Sequence, residues 1–219
     1  MLSGSWARYA PLSGVLFVVL VVVSIIVSGF DSVGTDDSTQ EVVDFWSDND
    51  GQQITAAIIG ALAMVPFLWF LGVLRSTLRV AEGGTGRLSA TAYAGGIVLV
   101  GFALVDSALQ LAVADTVGDV PAGVTQSLSV LYSDFFLGFP IGFGTLMLAT
   151  GLVLLRTRVL PTWLGWFALV LGILAFFGPV GFFAFLVFLV WLVITSVMLY
   201  QRGEPTAAPP PVAPTAPTA

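Results

Sequence analysis

The sequence of 219 residues contains no cysteine, no histidine and no lysine. Without cysteine there are no disulfides, thiolate metal sites or iron–sulfur clusters. Without histidine there is no imidazole-ligated zinc or haem and no Ser-His-Asp hydrolysis. Many intramembrane enzymes depend on one of these groups, so the expectation is a non-catalytic protein with no catalytic residue, metal or cofactor to name. Charge is also scarce: 9% of residues are charged, against about 25% in soluble domains. All seven cations are arginines, and they form no cluster dense enough to suggest nucleic acid as a partner.

What the chain has in abundance is apolar surface, 57% of residues with a mean hydropathy of +1.00. From Val159 to Gln201 there are 43 residues without a charge, bounded by Arg158 and Arg202. One crossing of ~30 Å of hydrocarbon takes about 20 helical residues, so this run is long enough for two. Gly178-Pro179-Val180-Gly181 marks the turn, because proline removes a backbone donor and glycine relaxes φ. The spans predicted here are Leu160 to Phe177 and Gly181 to Tyr200, a hairpin that leaves Arg158 and Arg202 on one side.

Four further spans precede the hairpin. Trp6, Arg8 and Tyr9 form an interfacial N-terminal anchor within residues 1–10. Pro11 to Phe30 reads as an uncleaved first span rather than a signal peptide. Its apolar run exceeds the usual ~7–15 residues, and no A-x-A-like site follows. Gln52 to Leu74 and Leu88 to about Val113 are the second and third. The fourth occupies part of Gly123 to Leu155. Between the first two lies an acidic outer loop, residues 31–51, with seven Asp or Glu. Inside it Ser38-Thr39-Gln40-Glu41 fits a capping box. The Val42, Val43 and Trp46 that follow suit either a short helix on the membrane surface or a solvated loop with one apolar turn.

Glu82-Gly83-Gly84-Thr85-Gly86 invites comparison with a phosphate-cradling loop, but it lacks the Walker lysine and a preceding strand, so it reads as a connection between spans. Ala56 with Gly60, and Gly138 with Gly142, are small-residue pairs at helical spacing that permit close helix packing; Pro140 adds a gating hinge as the alternative for the second. The Pro/Ala/Thr-rich residues of 201–219 are expected to be a disordered tail.

Six spans with a cytoplasmic N-terminus place every arginine on the cytoplasmic side and most acids outside, as the positive-inside rule requires. The fold class expected is therefore all-α: a polytopic six-span bundle with both termini cytoplasmic, its partners being the lipid bilayer and further copies of itself or other membrane proteins. Asp106 and Asp134 lie 19 residues from Arg87 and 22 from Arg156, or about 28 and 33 Å. Both therefore belong near the outer boundary. With Gln110, one helical turn from Asp106 and within reach of it, and with Asp115 and Asp119, they form a candidate outer vestibule. Such a ring of carboxylates attracts cations and suits hard ions, or else it simply marks helix ends. A structural, accessory or sensing role is the first expectation, and a transporter or channel for a cation or small solute is the second.

The run from Ser38 to Trp46, the stretch from Phe67 through Arg75-Ser76-Thr77-Leu78-Arg79 to Ala81-Glu82-Gly83, and the segment Arg158-Val159-Leu160-Pro161-Thr162-Trp163-Leu164-Gly165-Trp166 together resemble a broad group of six-span bacterial integral membrane proteins. The likeness covers most of residues 38–200 and implies topology and a bacterial plasma membrane location. Members often carry a His-Arg pair where this chain has Asp48-Asn49-Asp50-Gly51.

Overall fold

The structure is a computed structural model that describes residues 6–34, 36–135 and 138–202. The expected tail from Gly203 onward and the first five residues of the N-terminal anchor lie outside that range. Every regular element among the described residues is helical: α1 (Trp6–Tyr9), a 3-10 turn (Ala10–Leu12), α2 (Ser13–Ser28), α3 (Thr39–Glu82), α4 (Arg87–Thr116), α5 (Ala122–Asp134), α6 (Gly138–Thr157), α7 (Thr162–Leu174) and α8 (Pro179–Arg202). Five stretches are long and apolar enough to cross a membrane: Ala10–Ser28, Thr39–Glu82, Arg87–Thr116, Ala122–Thr157 and Val180–Arg202.

Consecutive long helices run antiparallel, so the chain ends of the bundle sort by charge. At one end Arg8 lies 5.6 Å over the Tyr200 ring, Tyr9 stacks on Tyr200 at 5.8 Å, and Arg75 lies 4.8 Å over Tyr93. Arg79 closes α3 and Arg87 opens α4, Arg156 closes α6, and Arg202 closes α8. This is the arginine end; Asp31, Asp44 and Asp115 belong to the other, the acidic end.

Helix α3 departs most from the sequence expectation. It runs 44 residues, about 66 Å, without a break. Residues 39–51 are its first turns, not a separate surface helix or a loop. The capping box is present: the Ser38 side chain accepts from the Glu41 amide, and the Ser38 amide donates to Glu41 Oε2 at 2.8 Å. The helix then stays upright because Val42 and Trp46 are buried against Val113 and Ala114 of α4, with Leu128 and Tyr132 of α5 packed alongside. Those partners are some seventy or more residues away in sequence, so no local pattern announces them.

The α3–α4 link is a tight turn. Gly83, Gly84 and Gly86 hold φ values of 64°, 52° and 63°, which favour glycine. Glu82 reaches across this turn and accepts the Leu88 and Ser89 amides at 2.9 and 2.8 Å. It fills the cap that the side-chain-less Gly86 leaves empty.

Helix α6 sits centrally. A Cβ on Gly95 of α4 would meet the Leu146 amide nitrogen at 2.5 Å and the Gly142 carbonyl at 2.9 Å, and one on Gly142 would meet the Leu99 nitrogen at 2.6 Å. The same Gly138–Gly142 face sets Gly138 against Phe102, so these glycines lie where α4 and α6 approach backbone to backbone. Gly151 against Gly165, and Gly144 against Gly172, repeat the arrangement between α6 and α7.

The fifth predicted span is shorter than expected. Pro161 caps α7 and the helix stops at Leu174, giving 13 residues or about 20 Å. The hairpin turn is where the sequence put it, with Gly178 at φ 50°. It lies level with Gly144, whose Cβ would touch Phe176. That is six residues, about 9 Å, short of the start of α6. The hairpin thus covers the arginine half of the bundle and leaves the acidic half less enclosed.

Candidate functional site

In that less enclosed half, α2, α3, α4, α5 and the start of α8 surround a half-open cavity of about 770 Å³. Its wall follows a stripe on each helix. On α2 the stripe is Phe17, Val21, Ser24 and Ser28; on α3 it is Trp46, Gln53, Ala56, Gly60, Met64 and Phe67. On α4 it is Leu99, Ala103, Asp106, Ser107 and Gln110. Apart from the adjacent Asp106 and Ser107, the spacings of three, four and seven are those of one helix face. Polar groups come at the level nearer the acidic end, and aromatic and aliphatic groups fill the floor.

The polar level is held by a relay of amides. Gln110 Nε2 donates to Gln53 Oε1 at 2.7 Å, Ser28 Oγ donates to the same oxygen at 3.0 Å, and Gln53 Nε2 donates to the Ser28 carbonyl at 2.9 Å. Ser24 Oγ donates to the Ala56 carbonyl at 2.8 Å. These bonds tie α2, α3 and α4 together where Gln53 and Gln110 are both buried. An amide left without its partner in such a place costs about 1–3 kcal/mol, so the relay also fixes which way each amide faces. Gly60 keeps the space between them open: a Cβ there would lie 3.3 Å from Ser24 Oγ and 3.4 Å from Ser107 Oγ.

A lid of aromatic side chains borders the cavity toward the acidic end. Trp46 is buried, its indole N–H donates to Ser129 Oγ at 3.0 Å, and its ring meets Tyr132 edge-on at 5.8 Å. Thr39 Oγ1 and Gln126 Oε1, 2.6 Å apart, pin the first turn of α3 to α5.

The residues singled out from sequence are divided by this geometry. Asp106 and Gln110 line the cavity. Gln110 is bonded to Gln53, not to Asp106. Asp134 is exposed at the end of α5 and takes no part in the lining, and neither Asp115 nor Asp119 does. The five do not gather, and among the described residues no three carboxylates come close enough to hold a metal ion. The small residues also differ in role: Ala56 accepts the Ser24 bond and is buried, whereas Gly60 borders open space.

Asp106 is the one carboxylate at the polar level, and Asp31 stands with Phe30 and Ser32 among the lining residues that follow α2. No arginine contributes to the lining. Among the described residues Asp106 receives neither a hydrogen bond nor an ion pair. The uncharged wall members Ser24, Ser28 and Gln53 escaped the sequence reading because it followed charges. The available signal was polar residues recurring at helical spacing inside otherwise apolar spans.

Comparison with known proteins finds no family model, no curated protein and no solved structure that matches this chain.

Proposed function

We propose that this is a non-catalytic binding protein of the bacterial plasma membrane, acting as a sensor or accessory subunit, that admits a small amphiphilic molecule from the acidic side. The observation that carries the reading is the cavity, with a polar level that contains Asp106 and an apolar floor. Its size falls within the ~300–1,000 Å³ usual for ligand sites, and its lining has the usual mix of apolar wall and few polar groups. Several lining hydroxyls are already spent as donors: Ser24 to Ala56, Ser28 to Gln53, and Ser133 to the Ser129 carbonyl. That favours holding a molecule over activating a nucleophile.

Six crossings with both termini cytoplasmic complete the proposal. The hairpin of α7 and α8 supports it, since Arg158 precedes the one and Arg202 ends the other. The positive-inside rule then makes the arginine end cytoplasmic. Reporter fusions at Gly84, Thr157 and Gly178 test this part. The first two are expected on the cytoplasmic side and the third on the opposite side; Gly178 sharing a side with Thr157 would remove the hairpin crossing.

Binding is tested with octanol as a neutral amphiphile and protein purified in a maltoside micelle. A molecule that binds the folded state raises the melting temperature with its concentration. Gly60→Leu, which fills the space between Ser24 and Ser107, is expected to abolish that rise. Equal shifts in the parent and in Gly60→Leu would show that octanol acts elsewhere, and the cavity would lose its role.

A further inference from the structure

The proposal of a binding cavity leaves open the chemistry of what enters it, and the lining narrows that chemistry. The cavity walls carry carboxylates and no cation. A phosphate, sulfate or carboxylate head would therefore stand against Asp106 with nothing to neutralise it, which disfavours phospholipids and fatty acids alike. An ammonium head reverses the sign. It brings three donors and no acceptor, and so it suits a level that offers acceptors. Asp106 receives no bond among the described residues, and the lone pairs of the Ser24 and Ser107 hydroxyls flank Gly60. The rings of Trp46 and Tyr132 bound the same space, and aromatic faces attract desolvated cations.

The floor sets the rest of the molecule. On α4, Leu99 lies seven residues, about 10 Å, below Asp106 toward the arginine end. On α2, Phe17 lies the same distance below Ser24, and on α3, Phe67 lies the same distance below Gly60. Three helices thus give one depth for the apolar foot. Phe67 is fully buried and stacks on Phe17 with centroids 4.5 Å apart, which closes the foot below. That depth accepts one chain of medium length.

We propose that the cavity binds a single-chain amphiphile with an ammonium head, with Asp106 as the counter-charge and the Phe17–Phe67 floor taking the alkyl chain. The assignment rests on the cavity reading above and adds the sign of the head and the length of the tail. It also gives a reason for a carboxylate at the polar level of the wall that receives no bond among the described residues, a group that is costly to keep near hydrocarbon without a purpose.

Octylamine, octanol and octanoate share a chain and differ in the charge of the head. Their dissociation constants are read from the concentration dependence of the melting temperature of the purified full chain in a maltoside micelle at neutral pH. Octylamine is expected to bind at least about tenfold more tightly than octanoate, with octanol between them. Asp106→Asn is expected to erase that order while leaving octanol within about twofold of its parent value. A second variant, Phe67→Trp, shortens the floor; it is expected to weaken octylamine and to spare butylamine. Three equal affinities in the parent chain overturn the ammonium assignment and leave the cavity standing. Binding by none of the three overturns the cavity reading and the assignment together. An order that survives Asp106→Asn overturns the role given to that residue.

Discussion

Toward the arginine end α4, α6 and α7 touch backbone to backbone; toward the acidic end α2, α3 and α4 are bridged by side-chain bonds across an open space. In the first region Gly95, Gly151 and Gly165 remove the side chains that would separate α4, α6 and α7. Phe70, Phe143, Phe188 and Trp191 fill what remains, and the Trp191 indole donates to the Leu164 carbonyl at 3.1 Å. In the second region Gln53, Gln110, Ser24 and Ser28 bridge α2, α3 and α4 across a space that stays open. Apolar surface offers little drive for association within lipid, so close packing and interhelical hydrogen bonds must hold the bundle. Here the two devices are separated along the bundle axis. The bonded half contains the cavity and the packed half lies beneath it.

Substitutions sharpen this contrast, and thermal unfolding of purified protein measures each. Gly95→Val has the largest expected effect, a loss of more than about 3 kcal/mol, because the new atoms meet the Leu146 nitrogen and the Gly142 carbonyl, which are backbone and cannot step aside. A loss below about 1 kcal/mol would show the packed half to be pliant. Next comes Gln53→Ala in the bonded half, where Ser28 and Gln110 both lose their acceptor; about 1–2 kcal/mol is expected. Thr195→Val reverses the sign. The Thr195 hydroxyl is buried with no partner, so replacing it with a methyl group is expected to be neutral or to stabilise by about 1 kcal/mol. Ser107→Ala borders the open space and is expected to change stability by less than about 0.5 kcal/mol while altering what the cavity binds.

The two regions were not equally legible from sequence. The arginine end was readable, since positively charged side chains at span ends obey a rule that depends on position in the chain alone. The α7–α8 turn was readable because Gly178-Pro179 acts locally, and so was the Ser38–Glu41 capping box. The length of α3 was not. Asp48-Asn49-Asp50-Gly51 has the composition of a loop, and it is helical because Trp46 and Val42 dock on α4 and α5. Tertiary packing there outweighs local propensity. Of the candidate vestibule residues, Asp106 and Gln110 line the cavity, and Asp134, Asp115 and Asp119 do not. Depth along a helix can be counted, which placed both Asp106 and Asp134 near one end, but the direction a side chain faces depends on neighbouring helices. Asp106 lies on the stripe that contains Ser107 and Gln110, whereas Asp134 ends α5 at an exposed position.

The absence of cysteine allows the division between the halves to be measured on a clean background. Ser107→Cys and Ser24→Cys place single thiols in the cavity wall, and Thr150→Cys places one where the native side chain is fully buried in the packed half. Thiols react through the thiolate, which requires water. A charged, membrane-impermeant methanethiosulfonate added from the acidic side is expected to modify Ser107→Cys and Ser24→Cys readily and to leave Thr150→Cys unmodified, with octylamine slowing the first two. Equal inertness at all three positions would contradict an open cavity, and equal reactivity would contradict the packed half.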